Sequence, residues 1–135
     1  MTIKEIQDKI IEEFSVFDEW LDKYEYLIDL GKNMPIISES GKVESNLIEG
    51  CQSRVWLDCE KRDGKLYFSA DSDAIITKGI ISLLIRVFNG QSAEDILACD
   101  LHFIDEIGLK DNLTPTRANG LVSMIRKIKA YALAK

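Results

Sequence analysis

The residues most suggestive of chemistry lie in the stretch 47–57, LIEGCQSRVWL, where the turn Gly50-Cys51-Gln52-Ser53 separates two apolar segments. An unpaired cysteine normally behaves as a small hydrophobe and is buried. At the tip of a turn its packing value is lost and its sulfur chemistry remains, which makes Cys51 the candidate functional residue. The thiolate is the working form of a cysteine. Glu49 before it and Arg54 after it are of opposite sign, so no strong local activation is expected.

A nucleophilic thiol that works alone needs a base or a resolving thiol beside it. The sequence around Cys51 offers neither. The single histidine, His102, stands next to Phe103 and reads as a structural or surface residue. Cys99, beside Asp100, could act as a resolving thiol, although burial explains it as simply. The cysteines at 51, 59 and 99 form no CxxC pair and no zinc-ligand spacing, so neither a disulfide framework nor a metal site is expected. No GxSxG elbow and no glycine-rich phosphate fingerprint occurs. A thiol of this kind is suited to accept a group from an enzyme that activates it in a joint site. Arg117 is the second candidate. It falls in the first turn of a helix, where the macrodipole disfavours a cation. A salt bridge to Asp111, Asp71 or Asp73 would explain it, and so would contact with a partner near Cys51.

The elements that must hold these residues can be read in order. Residues 2–14 are a helix capped by Thr2, with Glu5 completing a capping box and Ile3, Ile6, Ile10 and Phe14 at helical spacing. A second helix is expected from Ser15 to Gly31, with Asp18 and Glu19 at its positive end and Phe17, Trp20, Leu21, Tyr24, Leu27 and Ile28 as its core stripe. Residues 32–46 are irregular around Pro35. Asp63-Gly64 is a hairpin turn signal joining strands 53–61 and 65–71. The turn sets Cys59 opposite Phe68, Leu57 opposite Ala70 and Trp56 opposite Asp71. Val55, Leu57 and Cys59 then share the core face.

Residues 74–88, apolar nearly all round, suit a buried central helix, with Asp73 as its cap and Asn89-Gly90 as its stop. Gly79 inside it implies close approach of another backbone, since glycine costs about 1 kcal/mol there against alanine. Ser92 caps a short helix through 97, with Asp95 in the reciprocal position. Another helical piece spans 101–107. Thr114-Pro115 opens the last helix, which carries Leu121, Met124, Ile125, Ile128 and Tyr131. Strands grouped together between helices predict an α+β fold: one domain, 1–135, with a small antiparallel sheet packed against several helices on one face.

A net charge of −6 and a pI near 4.8 argue against nucleic-acid binding, which needs clustered cations. No window approaches the ~18 apolar residues of a membrane span. The acidic, helix-periodic first residues resemble neither a secretory signal nor a transit peptide. A cytoplasmic protein with reduced thiols is expected, as monomer or homodimer.

The run IEGCQSRVWL closely resembles the signature of SufE-type sulfur acceptors (SufE/CsdE-like), the accessory proteins of cysteine desulfurases. DSDAIITKG at 71–79 and LTPTRANGL at 113–121 continue the match over almost the whole chain. The resemblance implies an α+β fold related to IscU-type scaffolds. It also implies a mechanism. A PLP-dependent, SufS-like desulfurase removes sulfur from L-cysteine and holds it as a persulfide. Cys51 takes the terminal sulfur and stimulates the desulfurase, and the sulfur passes to SufBCD-type Fe–S assembly machinery. PLP belongs to the partner, so no cofactor or metal is expected in this chain. In this picture Gly50 permits the tight turn, and Gln52 and Ser53 shape the loop and can hydrogen-bond sulfur or backbone. Asp73 and Arg117 match motif positions that either fix the loop or touch the desulfurase. A further expectation is that Cys51 rests against the domain and swings out on docking.

Two other functions remain open at the level of sequence. An IscU-like Fe–S or zinc scaffold would need three converging thiolates, or two with His102. A thiol redox protein would pair Cys51 with Cys99.

Overall fold

The structure, a computed structural model, describes residues 1–51 and 53–134. Helix α1 (Ile3–Phe14) starts as its sequence dictates: Thr2 Oγ1 accepts from Glu5 N at 3.1 Å and Glu5 Oε1 accepts from Thr2 N at 3.0 Å. It buries Ile3, Gln7, Ile10 and Phe14. Gln7 is an unanticipated member of that stripe. Its amide donates to Asp100 O at 2.9 Å and accepts from Phe103 N at 3.2 Å, tying α1 to α5 (Phe103–Glu106).

Helix α2 runs Trp20–Gly31, later than the expected start at Ser15. Ser15 instead closes α1, its hydroxyl donating to Glu12 O at 2.6 Å. Glu19 occupies the cap position without a side-chain bond. Phe17 therefore lies in the connection, with its ring 5.2 Å from Tyr26. The expected core stripe is corrected in the same way: Leu27 is fully buried, Trp20 and Tyr24 are half-buried, and Leu21 is 66% exposed.

Helix α3 (Ile75–Phe88) is the central element, and α2 packs closely along it. Gly79 permits the contact. A Cβ at Gly79 would lie 2.4 Å from Leu27 O, and one at Gly31 would lie 2.9 Å from Gly79 N. The two backbones touch, as the interior glycine implied. Arg86 of α3 donates to Glu13 Oε1 at 2.8 Å, and Tyr26 OH donates to the same oxygen, so one carboxylate joins α1, α2 and α3. Those bonds hold the Glu13 carboxyl down at about 2.

The hairpin follows the expected register residue for residue: β1 (Val55–Arg62) against β2 (Lys65–Ser72), with Cys59 opposite Phe68, Leu57 opposite Ala70 and Trp56 opposite Asp71. Val55, Leu57, Cys59, Leu66, Phe68 and Ala70 are buried beneath helices. Trp56 faces outward and is covered by Lys42 rather than by a helix. The Lys42 ammonium sits 5.5 Å from the ring centroid and 2.9 Å from Asp71.

Loop segments occupy the outer rims of the pair. Leu66 N donates to Gln91 O, Phe68 N to Asn89 Oδ1 and Ala70 N to Pro35 O, while Ile48 N donates to Val55 O. Helix α4 (Ala93–Ala98) is capped by Ser92, whose hydroxyl accepts from Asp95 N. The long α6 (Pro115–Ala134) packs on α3 and α4 and buries Leu121, Met124 and Ile128. The architecture is α+β, with six α-helices and a two-stranded antiparallel sheet among the described residues.

Candidate functional site

The Cys51 loop is pinned at its neck and at its foot. The neck is the Ile48–Val55 backbone bond of 2.8 Å. At the foot, Asp73 Oδ1 accepts from Arg54 N at 3.1 Å, and Ser72 Oγ donates to Arg54 O at 2.8 Å. This corrects the expected role of Asp73. The cap position of α3 is Ala74, which has no side-chain cap, because the Asp73 carboxylate faces the loop instead. Gly50 has φ +87, a conformation that L side chains rarely adopt, and a Cβ there would lie 2.6 Å from Ser123 Oγ of α6.

Between neck and foot the Cys51 side chain turns inward. Its thiol donates to Gly120 O of α6 at 3.7 Å, a long sulfur hydrogen bond that spans the chain. Gly120 makes the approach possible, since a Cβ there would lie 3.3 Å from Cys51 Sγ. Cys51 is thus half-buried, and burial pushes its thiol up. At neutral pH the resting residue is a protonated thiol rather than the nucleophilic thiolate.

A cavity of about 40 Å³ adjoins the sulfur. Cys51, Ser53, Thr77 and Arg117 are among its lining residues, closed by Ile80 and Met124. Of the sequence candidates, Cys51, Ser53 and Arg117 share this cavity, Gly50 forms the loop's contact with α6, and Asp73 holds the foot. Gln52 lies outside the described residues. The salt bridges expected for Arg117 are not formed: Asp71 pairs with Lys42 and Lys78, Asp73 binds Arg54 N, and Arg117 is exposed with no ion pair among the described residues.

The other sulfur and imidazole groups lie elsewhere. Cys59 faces the core from β1. Cys99 ends α4, its thiol donating to Ile96 O at 3.1 Å within its own helix. It lines a separate open cleft of about 810 Å³ with His102, which pairs with Asp8 of α1 at 3.2 Å. Among the described residues no three of His, Cys, Asp and Glu come together as a metal cage.

The sequence matches the SufE family, described as an Fe–S metabolism associated domain, over residues 8–132. The chain belongs to the SufE family. It is 42% identical over 130 residues to an uncharacterized SufE-like protein of Rhizobium meliloti, covering 93% of both chains. A SufE-like protein of Synechocystis is 36% identical over 126 residues, covering 93% of this chain and 79% of that one. The fold is shared with the solution structure of a hypothetical protein from Thermus thermophilus, at a TM-score of 0.77 and 22% identity, over 96% of this chain and 97% of the other. Membership places the chain in Fe–S metabolism. No helix among the described residues is long and apolar enough to cross a membrane.

Sequence reasoning missed three members of this candidate site: Gly120 and Ser123, which receive the loop, and Thr77. For Gly120 a usable signal existed. It is a glycine inside a helix, as Gly79 is, and the same inference of a close approach applies.

Proposed function

We propose that the chain is a sulfur acceptor and carrier for a PLP-dependent, SufS-like cysteine desulfurase. Cys51 thiolate attacks the terminal sulfur of the desulfurase persulfide. The S–S bond of the desulfurase breaks, a new S–S bond forms on Cys51, and the desulfurase thiol recovers a proton. Nothing is oxidised or reduced overall. Relieving the desulfurase of its persulfide stimulates its turnover. The Cys51 persulfide then hands its terminal sulfur to a SufBCD-like assembly complex. PLP chemistry belongs to the partner; this chain supplies a thiol, a loop and a docking face.

The observation that carries this reading is the state of Cys51. It is a protonated thiol packed on Gly120, with Arg117 exposed at the same cavity and without a histidine in the lining. Such a thiol does little by itself and becomes a nucleophile when the loop releases it into another active site. In this reading Arg117 meets the desulfurase, and Asp73 sets how firmly the loop is held.

The test is incubation with desulfurase, PLP and labelled L-cysteine, followed by intact-mass measurement. Wild type, Cys59→Ser and Cys99→Ser gain a sulfur adduct, and Cys51→Ser gains none. An adduct that persists in Cys51→Ser, or one lost in Cys99→Ser, overturns the proposal. Release is tested separately: Cys51 alkylation is slow in the free protein and accelerates when desulfurase is added. Equal rates with and without desulfurase would remove the release step.

A further inference from the structure

Thr77 is a buried polar residue that the fold does not use. It lies on the first turn of α3, 7% exposed, and lines the Cys51 cavity. Its hydroxyl has no hydrogen-bond partner among the described residues. The other two buried polar residues are engaged: Gln7 bridges α1 and α5, and Ser82 donates to Gly79 O. An unpaired hydroxyl beside a cavity is free to donate to a polar ligand placed there.

The cavity suits a small occupant. A water-sized sphere needs about 10–15 Å³, so the roughly 40 Å³ beside Cys51 has room for one more sulfur atom and none for a bulky ligand. The unloaded thiol is held by donating its proton to Gly120 O. Loading replaces the S–H bond with an S–S bond, and that hold is lost. A persulfide is a stronger acid than a thiol, so the terminal sulfur is an anion that needs a donor, and a carbonyl cannot supply one.

We propose that Thr77 is a positioning residue for the loaded state, its hydroxyl donating a hydrogen bond to the terminal sulfur of the Cys51 persulfide inside this cavity. This rests on the sulfur-carrier reading and adds to it a means of retaining the cargo between partners. Arg117 is the charged residue in the lining and reinforces the preference for an anion. Glu49 and Arg54 on the loop, Asp73 just before α3, Lys78 on α3, and the remaining cations of α6 stand outside the lining.

The test loads the protein without desulfurase, so that its outcome is independent of the partner. Inorganic polysulfide donates sulfur to Cys51: the thiolate attacks an end sulfur, one S–S bond breaks as another forms, and a shorter polysulfide leaves. The pH dependence of persulfide alkylation is then followed by mass for wild type, Thr77→Val and Thr77→Ser. Thr77→Val keeps the shape and removes the donor; Thr77→Ser keeps the donor. The midpoint is expected to rise by about one pH unit in Thr77→Val, the tenfold preference that one hydrogen bond to a charged acceptor gives. Thr77→Ser returns it to the wild-type value, and the midpoint of the unloaded thiol stays put in all three.

An unmoved midpoint in Thr77→Val, an equal rise in Thr77→Ser, or an equal rise for the unloaded thiol overturns the proposal. So does failure of wild-type Cys51 to carry sulfur after polysulfide. If polysulfide loads Cys51 with the expected pH behaviour while desulfurase does not, the fault lies in the assigned partner and not in Thr77.

Discussion

Two pairs of elements in this molecule meet through glycine, and they meet differently. Where α2 crosses α3, the atoms facing the missing side chains are backbone: Leu27 O against Gly79 and Gly79 N against Gly31. Where the Cys51 loop lies on α6, the opposing atoms belong to side chains, Ser123 Oγ against Gly50 and Cys51 Sγ against Gly120. Backbone in a helix cannot step aside without unwinding, whereas a side chain can rotate and a loop can lift. The first crossing is a fixed frame, and the second is the contact that the proposed carrier cycle releases. Glycine therefore serves rigidity at one site and, in that cycle, mobility at the other, and the class of atom it faces decides which.

The comparison breaks most visibly at Gly79. Gly79→Ala forces α2 and α3 apart and costs about 3 kcal/mol, the upper range for overpacking, read as a lower midpoint in chemical denaturation. If Gly79→Ala unfolds like wild type, the crossing is not the fixed frame described here.

The frame also carries the Glu13–Arg86 pair, which gives it a signature in acid. Glu13 sits well below its ordinary value, at about 2, chiefly through its hydrogen bond with Arg86. A carboxyl depressed in the fold adds stability above its unfolded value and loses it as pH falls through its folded one. The contribution is thus full above about pH 4.5 and disappears towards pH 2. Its size is on the order of 2 kcal/mol after allowance for partial exposure. Glu13→Gln should therefore lower the urea midpoint at pH 7 and flatten the acid limb between pH 4.5 and 2.

At the releasable contact the expected effects invert. Gly120→Ala places a methyl against Cys51 Sγ, and the loop yields. Stability changes by about 1 kcal/mol or less, while alkylation of Cys51 in the free protein speeds up several-fold, on the order of what loss of one hydrogen bond allows. A large loss of stability with unchanged alkylation would mean that this contact belongs to the frame as well. The smallest effect is at Cys99, which is also half-buried and also pushed up by burial. Cys99→Ser should shift stability by about 1 kcal/mol or less and leave Cys51 alkylation unaltered. Burial and acidity do not distinguish these two thiols. One is held across the chain by α6 and the other by its own helix.

Much of the frame was legible in the sequence because its determinants are local. The Thr2–Glu5 capping box, the Asp63-Gly64 turn with its period-two strands and the apolar α3 each depend on neighbours a few residues apart. The interior glycine at 79 announced a close approach without naming the partner. The start of α2 was misread because Ser15 can cap either the end of one helix or the start of the next, and local chemistry does not choose between them. At the site, Cys51 was evident from its own type and place. The carbonyl of Gly120, the Asp73 bond to the loop foot and the unused Thr77 hydroxyl were not evident, since each depends on elements brought together from distant parts of the chain. Arg117 was noticed through its awkward position on a helix, and only the fold shows that none of the expected acids reaches it.

A two-stranded sheet consists entirely of edges, and exposed edges invite strand-to-strand association. Here the outward donors of β2 at Leu66, Phe68 and Ala70 are each taken by a loop acceptor, and Val55 O of β1 by Ile48. Pro35, which has no N–H to extend a ladder, stands opposite Ala70 on that rim. A carrier of the kind proposed, which meets one partner to collect cargo and another to deliver it, encounters many surfaces between. Rims already satisfied by its own loops keep those encounters brief and leave the Cys51 face as the part of the molecule that selects its company.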